Sequence, residues 1–508
     1  MRKNHLIKLI RDSLSGKFMA FGLAAASLMF VSCTVDPLDK ESYESEVRNQ
    51  TLLSPSTDDI TVTASPDGTQ TTISWPVVYG AKGYLCSVYN VSDPENPVAV
   101  YEEALVDGCS LTIARAEETN YEFNIQTLGR EDLNNKDAET KTTVAFTSFI
   151  PSVATIPSGT DLYEYFQSNP LESSADEQPV DLQSNGTYTI SQPLDFGDNY
   201  VTLRSTGKNA TITCAPGACM IFGNGIKLQN LNIDNTDNTA NGLLLMSSTP
   251  NEAQSTEALG YKDKGANQSG YVMTNPVTLK NVNVKNLQKS LIYGNKTNWS
   301  LISLIIDKCM IQLANEESMG VINMHGASNG LIKNLTIKNS TFYNLKENNA
   351  AYFLRYGNSS NAQPQKIFGK DETAALNLTN NTFANVFTAK DFANNLSNSN
   401  LTTTTLESNI FYDVFRVYQF VQTNTIRKTL NNYIWWVKTS KQNNDVTRTD
   451  SNGNPICTEA NPGFKPMEEL SPLDFTAPNN GVDFTPTGVP FDNKAGDPRW
   501  LPTEVVEE

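Results

Sequence analysis

The stretch Ile337–Leu345, IKNSTFYNL, sets an apolar residue, an Asn and a second apolar residue in a fixed frame. The line recurs as LQNLNIDNT from Leu228, LKNVNVKNL from Leu279, IIDKCMIQL from Ile305, LTNNTFANV from Leu378 and LESNIFYDV from Leu406, with LNNYIWWVK from Leu430 as a degenerate seventh. The frame reads apolar, any, Asn/Asp/Ser, any, any, apolar, any, Asn/Asp/Gln, usually apolar. Starts fall 24 to 51 residues apart, and the shorter gaps match one turn of a β-solenoid. Longer gaps carry inserts such as SSTPNEAQSTEALGYKDKGANQSG and GNSSNAQPQKIFGKDE. One coil cannot bury its apolar face alone, so coils must stack. The Asn at the third position is expected above its counterpart in the next coil, bonding its neighbour's amide and the free backbone groups of the turn.

A second column supports this register. Twelve residues before three of the repeats stand Tyr293, His325 and Tyr418, while Phe222 and Tyr356 end in the same Gly-Asn corner. Each coil is therefore expected to carry a further strand closed by a Gly bend. Strand alternation turns the column Ile221, Ile292, Met324 and Val417 inward, with Arg355 interrupting it, and sends Tyr293, His325, Tyr356 and Tyr418 outward. Together with Trp299 in the adjoining turn, these rings would form a flat platform on which sugar C–H faces pack. The competing reading is an aromatic stack inside the core.

The chain is acidic, with 38 Lys+Arg against 55 Asp+Glu and a formal charge of −17. Five basic residues and one acid precede Cys33, so the remainder carries −21. This balance excludes nucleic acid as a natural partner, since phosphate binding needs a basic surface. A basic N-terminal segment runs into FMAFGLAAASLMFV, Phe18–Val31, which is signal-peptide-sized and short for a membrane span. It ends in Val31-Ser32-Cys33. The other six cysteines are scattered, without metal-ligand spacing, and are expected to be small buried apolar residues.

These signals divide the chain into a signal peptide over 1–32, a flexible tether over 33–57, a β-sandwich over 58–148, a linker and cap over 149–180, a parallel β-helix over 181–440 and a C-terminal tail over 441–508 that covers the last coils. In the sandwich segment, short alternating runs such as TTISWPV, GYLCSVYNV and NYEFNIQTLG resemble a fibronectin type III domain, with Trp75, Tyr84 and Tyr121 at its characteristic aromatic positions. Val31-Ser32-Cys33 resembles a lipobox, implying cleavage before Cys33, lipidation of that cysteine and a membrane tether.

The repeats resemble the right-handed parallel β-helix of the pectate-lyase-like superfamily. The whole order, closing on AGDPRW (Ala495–Trp500), resembles surface lipoproteins that glycan-degrading gut bacteria encode beside polysaccharide-uptake systems, largely domains of unknown function. The fold class expected is thus all-β, a right-handed parallel β-helix preceded by a fibronectin type III-like sandwich. The resemblance implies an outer-membrane, lipid-anchored protein facing the cell exterior, with polysaccharide, the membrane and outer-membrane glycan-uptake proteins as its partners.

Pectate lyases bind Ca²⁺ through clustered carboxylates and use a neighbouring Arg or Lys as base. Here Asp234 and Asp237, three residues apart at a turn, are the candidate Ca²⁺ ligands, and Arg355 and His325 are the candidate lyase bases. The two-carboxylate machinery of glycoside hydrolysis is absent from the motifs. Three functions follow: a binder of pectin-type polysaccharide through Tyr293, Trp299, Tyr356 and Tyr418, a polysaccharide lyase, or a structural or adhesive surface protein.

Overall fold

The computed structural model describes residues 47–502 apart from 66–69, 93–95, 117, 316–319 and 348–350. Cys33 and the signal segment lie outside the described residues. The chain divides into two compact units between Ile150 and Pro151.

The first unit is a β-sandwich of a three-stranded and a four-stranded antiparallel sheet. Its strand Asn120–Gly129 alternates between buried and half-buried residues, the period of a sheet with one face in the core. Trp75 stacks on Phe123 at 5.6 Å and meets Tyr84 edge-on at 5.4 Å. The Tyr121 hydroxyl accepts from Ala116 N at 2.8 Å, which ties the strand to the loop before it. Part of the stretch expected to be a tether already belongs to this fold. Gln50 N donates to Asn135 Oδ1 at 3.1 Å, and Asn135 Nδ2 donates to Val47 O at 2.6 Å.

The second unit is a right-handed parallel β-helix with three faces, in which every strand ladder among the described residues is parallel. The repeated line spans two faces and the corner between them. Along the first face Leu228 pairs in register with Leu279, Leu279 with Ile306, Ile306 with Ile337, Ile337 with Leu378, Leu378 with Leu406 and Leu406 with Thr429. Two starts therefore shift by one residue from the sequence alignment, from Ile305 to Ile306 and from Leu430 to Thr429. Apolar matching alone cannot separate two adjacent isoleucines.

The corner explains the third position. Asn230, Asn281, Lys308, Asn339, Asn380, Ser408 and Asn431 all have φ between 51° and 56°. This left-handed conformation is one that Asn tolerates better than other side chains. At the eighth position Asn286, Asn385 and Asp413 repeat it, with φ of 54° to 56°. Third-position side chains do touch in places, since Asn281 Nδ2 donates to Asn230 Oδ1 at 2.9 Å. The continuous buried ladder, however, stands one residue later, at Cys309, Ser340, Asn381, Asn409 and Asn432. Asn381 Nδ2 donates to Asn409 Oδ1 at 3.0 Å, and Asn409 Nδ2 to Asn432 Oδ1 at 2.9 Å. Each of these amides also reaches a backbone carbonyl at 2.8 Å, of Ile337 and Leu378 respectively.

Beyond the corner, the sixth position turns into the core. There Phe342 stacks on Phe383 at 5.4 Å and Phe383 on Phe411 at 5.3 Å, with Phe353 and Phe392 packed edge-on. An aromatic ladder does exist, but it lies inside the solenoid and uses other rings than those expected.

The tail first stacks on the last coil, where Thr458 and Glu459 pair with Tyr433 and Ile434, and then runs back along the outside of the second face. Met310, Tyr343, Ile410, Tyr412 and Tyr433 point outward there, and Phe464, Leu473, Phe484 and Trp500 bury them. The closing motif is a clasp. Thr341 Oγ1 donates to Asp497 Oδ2 at 2.8 Å and receives Trp500 Nε1 at 2.8 Å, while Asp497 N donates to Thr382 Oγ1 at 3.0 Å. The physical reason for the lateral course is the apolar column itself, which would otherwise stand in water.

Candidate functional site

Of the three outer faces, the second is roofed by the tail over its later coils. On the first, charges neutralise one another between rungs, Arg204 with Asp181 at 2.7 Å and Lys338 with Asp307 at 3.5 Å. The third face is different. Its outward column runs Asp195, Ile221, Leu245, Tyr293, Asn323, Arg355, Asn394, each paired with the next. Residues 247–270 and 357–373 are the longest inserts and both leave from the end of this face. They brace one another: Asn267 N and Gln268 N donate to Lys366 O at 2.9 and 3.0 Å, and Tyr261 packs edge-on against Phe368 at 5.4 Å. A wall thus stands along one flank of the third face.

Arg355 is half-buried in this column. Its guanidinium lies 4.8 Å from the Tyr352 ring, its Nε is buried without a hydrogen-bond partner, and among the described residues it forms no ion pair. Burial lowers its pKa from the ordinary value. A half-buried cation with no carboxylate among the described residues is costly, which suits this guanidinium to an anion. Gly320 makes room for it, since a Cβ there would come within 3.3 Å of Arg355 Cβ and 3.1 Å of Asn323 Cβ.

His325 lies at the corner two residues after Asn323, and its backbone N donates to Asn323 Oδ1 at 3.0 Å. Its Nδ1 is 3.1 Å from Gly357 O. A carbonyl only accepts, so Nδ1 carries a proton in this contact, and Nε2 is the ring nitrogen that Gly357 leaves unengaged. Lys296 and Tyr293 share this corner, because a Cβ on Gly326 would fall 3.3 Å from Lys296 Cγ and 3.7 Å from the Tyr293 hydroxyl. His325, Lys296 and Tyr293 therefore share this corner, while the Arg355 guanidinium lies over Tyr352 on the neighbouring strand. Lys296, Tyr352, Asn323 and Asn394 escaped sequence reading; the signal that finds them is pairing register, which variable loop lengths conceal.

The expected sugar platform does not form. Tyr356 follows Arg355 on the strand and so turns inward beside Met324; it is fully buried and its hydroxyl donates to Ile332 O at 2.7 Å. Burial pushes that phenol far above its usual range. Trp299 is also fully buried, with Nε1 donating to Ser247 O at 2.8 Å. Tyr418 is buried in a short 3-10 turn, under the Arg448 guanidinium at 4.3 Å. Only Tyr293 of the four reaches the surface in part. Nor do the expected Ca²⁺ ligands stand ready. Lys285 Nζ lies 3.3 Å from the Asp234 carboxylate, which also accepts from Thr236 N at 3.0 Å, and Asp237 is exposed. Among the described residues no group of three or more His, Cys, Asp or Glu is placed to hold a metal ion.

Past Asn394 the face opens into a polar groove of about 490 Å³. Its one described carboxylate, Asp391, is held by Arg416 at 3.2 Å. Two carboxylates poised across a glycosidic bond are not found here among the described residues.

Residues 1–190 match a family described as a domain of unknown function, and residues 186–345 match another, Domain of unknown function (DUF4957). No curated protein matches the chain. Among solved structures, the chain is similar to a family 28 exopolygalacturonase of Yersinia enterocolitica at 10% identity, over 78% of this chain and 88% of that one, with a TM-score of 0.27. It is also similar to a pectate lyase of Erwinia chrysanthemi in complex with tetragalacturonic acid, at 14% identity over 57% of this chain and 86% of that one, with a TM-score of 0.13.

Proposed function

We propose that the β-helix binds an acidic polysaccharide of pectin type along its third face, with Arg355 holding a sugar carboxylate. The observation that carries this reading is the half-buried guanidinium, which has no ion-pair partner among the described residues. A planar guanidinium matches a carboxylate in two parallel hydrogen bonds, and Lys296 and His325 add hydrogen-bonding groups at the corner that follows on the same face. Titration calorimetry with tetragalacturonate on the mature chain tests it. Arg355→Ala should weaken binding by roughly tenfold to a hundredfold, the range for a charged hydrogen bond, with the melting temperature kept. Equal affinities in wild type and variant would sink the reading.

A second reading, polysaccharide lyase, draws support from the same residues. β-Elimination takes the proton beside the uronate carboxylate and expels the neighbouring glycosidic oxygen; a free His325 Nε2 or a guanidinium of lowered pKa suits the proton abstraction. Ultraviolet-absorbing unsaturated uronates, released by wild type but not by His325→Ala or Arg355→Ala, would establish it.

The lipobox-like Val31-Ser32-Cys33 supports placing this binder on the outer membrane beside glycan-uptake proteins. Cys33→Ala should abolish fatty-acid labelling and release the protein from membranes; a variant that still sediments with membranes would refute the anchor.

A further inference from the structure

The groove beyond Asn394 has a chemistry of its own. Asn394 pairs directly with Arg355 in the ladder of the third face, so the groove begins one rung, about 4.8 Å of backbone spacing, from the strand that carries Arg355. Its lining includes Ser359, Asp391, Asn394, Asn395, Gln419 and Gln422. Among the described residues, the side chains of Ser359, Asn394 and Gln419 make no hydrogen bond within the protein. Asn395 Nδ2 is committed to Gly357 O at 2.7 Å and Gln422 Nε2 to Gln419 O, which leaves both side-chain carbonyls free to accept. The carboxylate of Asp391 is already neutralised by Arg416. Arg416 is in turn held in the left-handed region at φ 54° and ψ 56°, a conformation that costs a non-glycine residue energy and that clusters at binding sites.

A groove with no net charge, lined by short amides and a hydroxyl, suits neither an anion nor an apolar ligand. It offers interleaved donors and acceptors, and the Asp391–Arg416 pair sets an acceptor beside a donor as a vicinal diol requires. We propose that this groove is a neutral-sugar subsite contiguous with Arg355, so that the preferred glycan has a neutral sugar next to a uronic acid and is not an unbroken polyuronate. The proposal rests on the reading of Arg355 as a carboxylate site.

Calorimetry on the full mature chain with two probes of equal length, oligogalacturonate and an oligosaccharide of alternating galacturonic acid and rhamnose, tests it. Wild type should bind the alternating probe about tenfold more tightly. Ser359→Ala combined with Gln419→Ala should erase that preference while leaving oligogalacturonate affinity unchanged, and Arg355→Ala should weaken both probes. Melting temperatures confirm that each variant is folded. Equal wild-type affinity for the two probes, or an equal loss for both in the double variant, overturns the neutral subsite while the Arg355 effect stands. Should Arg355→Ala change neither affinity, the carboxylate reading fails and this proposal with it.

Discussion

Asn380 and Asn381 are adjacent in sequence and differ in what holds them. Asn380 sits at φ 54° and is half exposed, whereas Asn381 is fully buried, receives Ser340 N at 3.1 Å and donates to Ile337 O at 2.8 Å. Asn380→Gly should therefore be tolerated, while Asn380→Ala should cost about 1 to 2 kcal/mol of left-handed strain. Asn381→Leu strands several buried polar groups, at about 1 to 3 kcal/mol for each. Denaturant midpoints of the three variants check the order, and an Asn381→Leu midpoint equal to wild type would refute the ladder. The recurring Asn was legible in the sequence, but its cause was not, because periodicity cannot tell a conformational demand from a hydrogen-bonding one when both favour Asn. Asp445 shows what sequence conceals altogether. It is fully buried, with Oδ1 accepting from Tyr418 N at 2.7 Å and Oδ2 lacking a partner. Burial raises its carboxyl to about 7 against the pull of Arg448 and Arg416. Unfolded, it ionises near the ordinary value of about 3.9. Between those values the folded state holds the extra proton, so this residue's contribution to stability falls as pH rises from about 4 to 7 and is flat above. Asp445→Asn should melt higher than wild type at pH 8 and nearly together with it at pH 4.5. An unchanged gap between the two across that range would contradict the assignment.

At the scale of the element, the tail and the third face show how stacking limits what a one-dimensional pattern reveals. The coils were readable because Leu228, Leu279, Ile337, Leu378 and Leu406 fall in one column and each line crosses a corner of constant length. The third face was not, because loops of different length separate it from the repeated line. Matching the Gly-Asn corner after Tyr356 to the one after Tyr293 put Tyr356 on the surface and Arg355 in the apolar column, when pairing with Asn323 and Asn394 turns Arg355 out and Tyr356 in. The AGDPRW ending was visible as a motif but carried no address. Its partners, Thr341 and Thr382, lie more than a hundred residues away. Trp500→Ala should remove a buried ring and a hydrogen bond to Thr341, worth about 3 to 5 kcal/mol of tail attachment. The coils beneath are held by their own ladders, so the expected result is local. Proteolysis within residues 460–502 should speed up at least tenfold, and hydrophobic dye should bind the uncovered Tyr343, Tyr412 and Tyr433, with a smaller shift in the main unfolding transition. Unchanged protease resistance would mean that the clasp contributes nothing.

For the whole molecule, charge and proposed ligand pull in opposite directions. A chain of formal charge −17, and −21 beyond Cys33, repels a polyuronate at long range, yet the proposed site centres on the cationic Arg355, with Lys296 at the neighbouring corner. Electrostatic steering normally accelerates association at low salt. Here the net field opposes approach, and it reaches about 30 Å at 0.01 M ionic strength but only about 8 Å at 0.15 M. The guanidinium–carboxylate contact forms well inside the shorter length and behind a partly buried surface, so screening weakens it less than it weakens the global repulsion. The association rate for oligogalacturonate should therefore rise between 0.01 and 0.15 M salt, the reverse of a steered encounter, while the dissociation rate changes less. Arg355→Ala should keep the salt trend of association and raise dissociation, because it removes the contact and adds only one unit to a large net charge. Stopped-flow measurements on both proteins check this. An association rate that falls with salt would place the ligand on a different, more extended basic surface than this corner.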